Sequence, residues 1–237
     1  MYLEFMIGSE AWKKIDFFPA SATFTSNNEY NMAKLYFYYS AMNAGKSTSL
    51  LQSSHNYIKR GMQVLLFAPY VDDRFGKAII HSRIGLMQEA NGFDENTDFY
   101  EFTLKQKEIA PNLHCLLIDE AQFLNKEQVK QLTRITSELQ LPVLCYGLRS
   151  DFKGEPFEGS TYLLAWAEEL TELKTICHCG KKATMNIRID LDGSPVEEGE
   201  QIQVGGNESY ISACMHHFRE YNKTFSQVNN TQTMVTK

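Results

Sequence analysis

A parallel α/β sheet flanked by helices, followed by a small domain tied together by a metal, is the fold this sequence predicts, and three observations predict it. Short apolar runs that read as buried strands alternate with stretches of helical period. A Gly-Lys-Ser turn joins the first such run to the first helical stretch. Two pairs of metal-type ligands stand in a polar, glycine-punctuated C-terminal third.

The chain of 237 residues is long enough for one domain and an appendage. With 43% apolar and 22% charged residues it is neither a disordered polyelectrolyte nor a disulfide-dominated mini-protein. Lys and Arg number 23 against 29 Asp and Glu, a net charge of −6, opposite to the basic footprint that binding a phosphate backbone requires. No apolar run reaches the roughly 20 residues that span a bilayer. Glu10, Lys13 and Lys14 follow Phe5-Met6-Ile7 at once, so no secretion signal is read, and a reducing, cytoplasmic location is expected. There, five cysteines are not a disulfide framework.

Residues 1–31 carry no sustained period and end in a polar stretch. They are expected to be a disordered extension or to lie upstream of a true start at Met32. Leu35-Tyr36-Phe37-Tyr38-Tyr39 has no polar face and reads as a strand covered on both sides. Ser40 to Ala44 turns the chain; from Lys46 the residues Leu50, Leu51, Tyr57 and Ile58 form a helical stripe, stopped by Gly61. Val64 to Ala68, Leu113 to Ile118 and Val143 to Tyr146 are further buried-type strands, with Cys115 and Cys145 assigned to the core. An Asn125-x-x-Gln128 capping box opens a helix carrying Val129, Leu132, Ile135 and Leu139. Gly147 to Ser160 reads as a mobile loop before a short helix with Leu163, Leu164 and Trp166. From Thr175 the segments are short and β-rich, and the tail from Asn222 is polar. The expected divisions are therefore 1–31, 32–174, 175–221 and 222–237.

Ser40-Ala41-Met42-Asn43-Ala44-Gly45-Lys46-Ser47 fits the phosphate-binding pattern G-x-x-x-x-G-K-[ST], with serine at the first glycine position. Between a strand and a helix such a loop offers consecutive N–H groups and a helix N-terminus to an anion. Lys46 is suited to the β and γ phosphates of ATP and Ser47 to Mg²⁺. Leu116-Leu117-Ile118-Asp119-Glu120 is an apolar strand ending in two carboxylates, the Walker B pattern. Asp119 is suited to Mg²⁺ and Glu120 to accepting a proton from an attacking hydroxyl; the alternative is that the pair only caps the next helix. ATP contacts are thus expected at the loop and along Asp119, Glu120, Ala121 and Gln122. Asp72-Asp73-Arg74 follows the second strand and supplies either a carboxylate and a guanidinium to the phosphates or a solvated turn. Cys177-x-Cys179 and Cys214-x-x-His217 predict a tetrahedral structural Zn²⁺, with His178 or His216 as substitutes for the fourth ligand.

These motifs in this order, together with Phe123, Gly147-Leu148-Arg149-x-Asp151-Phe152 and Gly205-Gly206-x-x-x-Tyr210, resemble the type II thymidine kinases from about Met32 to Tyr221. The resemblance implies a P-loop NTPase-type sheet with a small C-terminal zinc-containing lid. It implies transfer of the ATP γ-phosphate to the 5′-hydroxyl of thymidine, and of deoxyuridine, for DNA synthesis by salvage. Glu120 matches the family's proton acceptor, and Cys177, Cys179, Cys214 and His217 its zinc ligands. Met42, Phe123, Leu148, Phe152 and Tyr210 match positions around the nucleoside, and Val204 to Ser212 resembles the loop whose backbone holds the base. Feedback inhibition by dTTP and a homotetramer are implied in the same way.

Two other classes compete. Asp119-Glu120-Ala121-Gln122 also resembles the DExx box of nucleic-acid motors, but those need two ATPase lobes and a basic surface, whereas one phosphate loop and an acidic chain are present. A non-catalytic zinc module would leave Lys46, Asp119 and Glu120 without a purpose.

Overall fold

A computed structural model describes residues 32–70, 78–190, 193–196, 199, 201 and 210–221. Its elements run β1 (Leu35–Ser40), α1 (Lys46–Lys59), β2 (Gln63–Pro69), β3 (Ala78–His81), β4 (Met87–Phe93), α2 (Phe99–Ile109), β5 (Leu113–Ile118), a 3-10 turn (Ala121–Phe123), α3 (Lys126–Leu139), β6 (Val143–Leu148), α4 (Glu158–Trp166) and β7 (Glu169–Glu172). After these come β8 (Thr175–Ile176), β9 (Lys182–Ala183), β10 (Met185–Arg188) and β11 (Tyr210–Ala213). β1 to β7 make one sheet in the order β3-β4-β2-β5-β6-β1-β7. Every neighbouring pair is parallel except β3 with β4.

The apolar strands are covered on both faces, as their lack of a polar face demands. In β5, Leu116 and Ile118 join α2, α3 and α4 in one core, while Cys115 and Leu117 join α1 in the other. β1 does the same: Leu35 and Phe37 face the first core, and Tyr36 and Tyr38 face α1, where Tyr38 stacks on Tyr146 with ring centroids 4.7 Å apart. Burial pushes both core thiols up, Cys115 to about 12, which leaves them inert. The capping box forms as expected: the Asn125 side chain accepts from the Gln128 backbone N–H at 2.9 Å, and the Gln128 side chain accepts from the Asn125 N–H at 3.1 Å.

Two expectations are corrected. Ile58 is 48% exposed, outside the buried stripe of α1. Each four-residue step overshoots the helical period by about 40°, so two steps from Leu50 carry residue 58 off the core face, whereas Tyr57 stays on it. Gly147 to Ser160 is a pinned turn rather than a mobile loop. Asp151 Oδ1 accepts from the Lys153 and Glu155 N–H groups at 2.8 and 2.9 Å, Ser150 bridges to Pro156, and Phe152 and Phe157 are buried. The sequence reading also lacked β3, β4, α2 and β7. β4 and β7 carry polar residues because they lie near the rims of the sheet.

From Thr175 the described residues form two antiparallel pairs: β10–β11 packs on a small core of Met185, Ile187, Ala213 and Phe218, and β8–β9 adjoins a second cluster of Cys177, Ala183 and Cys214. No described helix is long and apolar enough to cross a membrane.

Candidate active site

Parallel strands deliver their C-terminal ends to one edge of the sheet, where open α/β sheets place ligands. β1 ends in the Ser40 loop and β5 in Asp119, with only β6 between them, which sets the two strand ends about 10 Å apart. Asn43 and Gly45 are left-handed, with φ of 62° and 78°, and they fold the loop so that α1 begins at Lys46. Gly45 caps that helix, so the loop's amides and the helix N-terminus converge.

Lys46 is buried, its Nζ lying 3.3 Å from both Ser40 Oγ and the Ala41 carbonyl oxygen. Burial pushes the ammonium below its ordinary range; Glu120 and Asp119 oppose this, and Arg83 adds to it. Across the gap, burial and the adjacent Glu120 carboxylate push Asp119 up to about 7, while the nearby Ser47 hydroxyl pulls it back. A buried cation and crowded carboxylates each lack part of their counter-charge. The partners that would supply it are a polyanion for Lys46 and a cation for Ser47 and Asp119.

Glu120 does not cap the turn that follows it. It sits at φ 49°, ψ 41°, left-handed, and no side-chain cap bond forms. Its N–H donates to Asp119 Oδ1 at 3.1 Å, and the residue lines a cleft of about 220 Å³. Met42, Asn43, Gly45, Lys46 and Ser47 line that cleft with Glu120 and Leu148. His81, Ser82, Arg83 and Ile84, from the turn between β3 and β4, line it too. Nothing in the sequence marked these four, because a short hairpin acquires meaning only from where the sheet carries it.

Of the expected nucleoside positions, Met42 and Leu148 line this cleft beside Glu120. Phe123 packs edge-on against Phe157, with centroids 6.0 Å apart; Phe152 is buried under the Arg188 guanidinium, 5.3 Å from its centroid; and Tyr210 opens β11. Asp72 and Arg74 lie outside the described residues, as do residues 204–209 of the expected base-holding loop. Two residues not anticipated hold the phosphate loop from the C-terminal strands. Asn186 of β10 accepts from the Met42 N–H at 2.8 Å, and the Ser212 hydroxyl of β11 donates to the Met42 carbonyl at 2.6 Å. The only hint in the sequence was a lone asparagine between the apolar Met185 and Ile187.

The cysteine pairs meet. Ligand atoms of Cys177, Cys179, Cys214 and His217 all lie within 4.8 Å of one another. Cys177 Sγ and Cys214 Sγ are 3.3 and 3.4 Å from His217 Nδ1, and Cys179 Sγ is 3.9 Å from Cys214 Sγ. A tetrahedron with Zn–S about 2.3 Å and Zn–N about 2.0 Å has S–S edges of about 3.8 Å and S–N edges of about 3.5 Å, so the donor set fits the ion. The Cys177 thiol is pulled down to about 6, against its burial, by N–H groups of residues 179 and 214 and the His217 ring. Cys214 is pulled down as well, chiefly by a backbone N–H at His217, whereas Cys179 is pushed up, so two of the three thiols are set toward the thiolate form that a metal takes. Of the three histidines considered for the fourth place, His217 completes this four-ligand set.

The 3-10 turn that carries the residues after Glu120 is wedged against α4 at Gly159. A Cβ there would lie 2.6 Å from the Leu124 carbonyl oxygen and 2.7 Å from that of Ala121. Gly159→Ala is expected to lower stability by about 1–3 kcal/mol, read as a lower unfolding midpoint. Turnover should fall further than the folded fraction, since the shift reaches the turn that follows Glu120.

Residues 33–218 match the family model described as thymidine kinase. A thymidine kinase of Coxiella burnetii is 59% identical over 188 residues, covering 79% of this chain and 96% of the relative. One of Legionella pneumophila strain Lens is 60% identical over 196 residues, 82% of this chain and 94% of the relative. One of Shewanella oneidensis is 59% identical over 191 residues, 80% of this chain and 98% of the relative.

Proposed function

The chain belongs to the thymidine kinase family and phosphorylates thymidine with ATP, and we propose that Glu120 is the base of that transfer. The observation that carries this reading is the single cleft into which Lys46, Ser47 and Glu120 all open, with Asp119 behind Ser47. The loop from Ser40 to Ser47 holds the triphosphate through its amides and Lys46. Asp72 and Arg74 contribute from outside the described residues, and Asp119, Ala121 and Gln122, all buried, back the nucleotide site from behind the cleft wall rather than opening into it. Met42, Phe123, Leu148, Phe152 and Tyr210 enclose the nucleoside. Glu120 accepts the 5′-hydroxyl proton as that oxygen bonds to the γ-phosphorus and the bond to the ADP oxygen breaks. Ser47 and Asp119 would hold Mg²⁺, which neutralises charge on the β and γ phosphates.

Cys177, Cys179, Cys214 and His217 hold structural Zn²⁺, which staples a region whose buried apolar clusters are small, Met185, Ile187, Ala213 and Phe218 in one and Cys177, Ala183 and Cys214 in the other. The kinase domain is residues 32–174, the zinc lid 175–221, and the flanking 1–31 and 222–237 are tails. A cytoplasmic homotetramer restrained by dTTP, and tolerance of deoxyuridine, rest on the resemblance alone. The test is incubation with ATP and a panel of nucleosides, with products weighed by mass spectrometry. ADP and dTMP should appear in equal amounts without nucleic acid; ADP that forms only on adding DNA or RNA would support the motor reading instead.

A further inference from the structure

The Gln122 side chain connects the base to the opposite wall of the cleft. It is 2% exposed and does not itself line the cleft. Its Oε1 accepts from the Leu148 backbone N–H at 2.9 Å, and its Nε2 donates to Glu120 Oε2 at 2.5 Å. Chemistry fixes which way round the amide lies. A peptide N–H can only donate, so the oxygen must face Leu148, and an ionised carboxylate can only accept, so the NH₂ must face Glu120.

The surroundings are shaped to this amide. A Cβ on Gly147 would come within 3.0 Å of both Gln122 Oε1 and the Gln122 nitrogen, so the strand beneath leaves just the room the amide uses. Leu148, the acceptor's partner, is tied in turn by the Ser160 hydroxyl, which donates to its carbonyl at 2.5 Å. Glu120 itself is in the left-handed region, which disfavours a residue with a side chain by about 1–2 kcal/mol, and it lacks a capping bond that would fix it. Among the hydrogen bonds of its carboxylate that the structure describes, the one from Gln122 is the side-chain tether.

We propose that Gln122 is a positioning residue for Glu120: its amide holds one carboxylate oxygen, leaving the other for the 5′-hydroxyl, and sets the distance between the base and the Leu148 wall. The proposal rests on the reading of Glu120 as base. Misplacing a reacting group by about 1 Å costs on the order of 10²-fold in rate, so the effect should appear in kcat.

The test is a double-mutant cycle on the full chain, with kcat and both KM values measured. Gln122→Met keeps the length and removes both hydrogen bonds; kcat is expected to fall about 10- to 100-fold with KM for thymidine and ATP changed less than about threefold. Gln122→Glu keeps the acceptor for Leu148 but turns a carboxylate toward Glu120, so it separates support of Leu148 from positioning of the base. It should lose kcat as Gln122→Met does, and it keeps the question answerable if the methionine variant does not fold. Adding Gln122→Met to Glu120→Gln should cost nothing further, because a residue that acts through the base has nothing left to act on. Full kcat in Gln122→Glu, or losses that multiply in the double variant, would overturn the positioning role while leaving the base in place. Parental turnover in Glu120→Gln alone would instead remove the base, and the positioning role with it.

Discussion

Glu120→Gln is expected to lower turnover by about 10²–10⁴-fold, the usual worth of a positioned general base, while ATP still binds. The substitution is nearly isosteric. Its amide oxygen can still accept from Gln122 Nε2, so the bond at 2.5 Å has a counterpart and the turn stays in place. What is lost is an atom able to take the hydroxyl proton. Cation binding should hold or improve: the Glu120 charge is one of the causes that push Asp119 up to about 7, so removing it lets Asp119 ionise at lower pH. Steady-state release of ADP with dTMP, beside a titration with a fluorescent nucleotide, reads both quantities. Turnover near that of the parent would end the assignment.

Replacing Cys177 and Cys179 together by Ser should release one zinc per chain and unfold the region from Thr175 onward. Structural zinc contributes apparent folding free energies of about 10–16 kcal/mol in small zinc domains, more than the roughly 1.5–3 kcal/mol apiece that burying Met185, Ile187 and Phe218 supplies. The loss should also reach the nucleotide. β10 and β11 bind both backbone groups of Met42 through Asn186 and Ser212, so melting them frees the phosphate loop and weakens ATP binding. Elemental analysis, limited proteolysis and the nucleotide titration check the three steps in turn. A variant that keeps one metal per chain would show that other residues hold it.

Much of the site was legible before any coordinates, for a reason visible in particular residues. The Gly45-Lys46-Ser47 turn, the carboxylates after Ile118 and the Asn125-x-x-Gln128 box each place donors and acceptors within a few residues, where strand and helix geometry already fixes their relation. The cysteine pairs were legible for a related reason: soft ligands at close spacing have few other uses in a reducing compartment. The misjudged stretch from Gly147 to Ser160 shows the limit. Its charges suggested solvent, yet Phe152 and Phe157 are buried and Asp151 is spent on backbone N–H groups. The same composition serves an exposed loop and a pinned turn.

The sequence by itself determined the alternation of strands and helices, the Gly-Lys-Ser loop, the acidic end of β5, the capping box of α3 and the three cysteines of the candidate metal site, while the choice of histidine fell to the fold. All of these follow from steric and hydrogen-bonding rules that act over a few residues, or from ligand chemistry. Only the tertiary structure decided that β6 separates the two functional strand ends, that the β3–β4 turn brings Arg83 to the cleft, and that Asn186 and Ser212 grip Met42. It alone set Glu120 in a left-handed turn with Gln122 reaching between it and Leu148. Those relations join residues far apart in the chain, and burial selects them only once both faces of the sheet have found their covers.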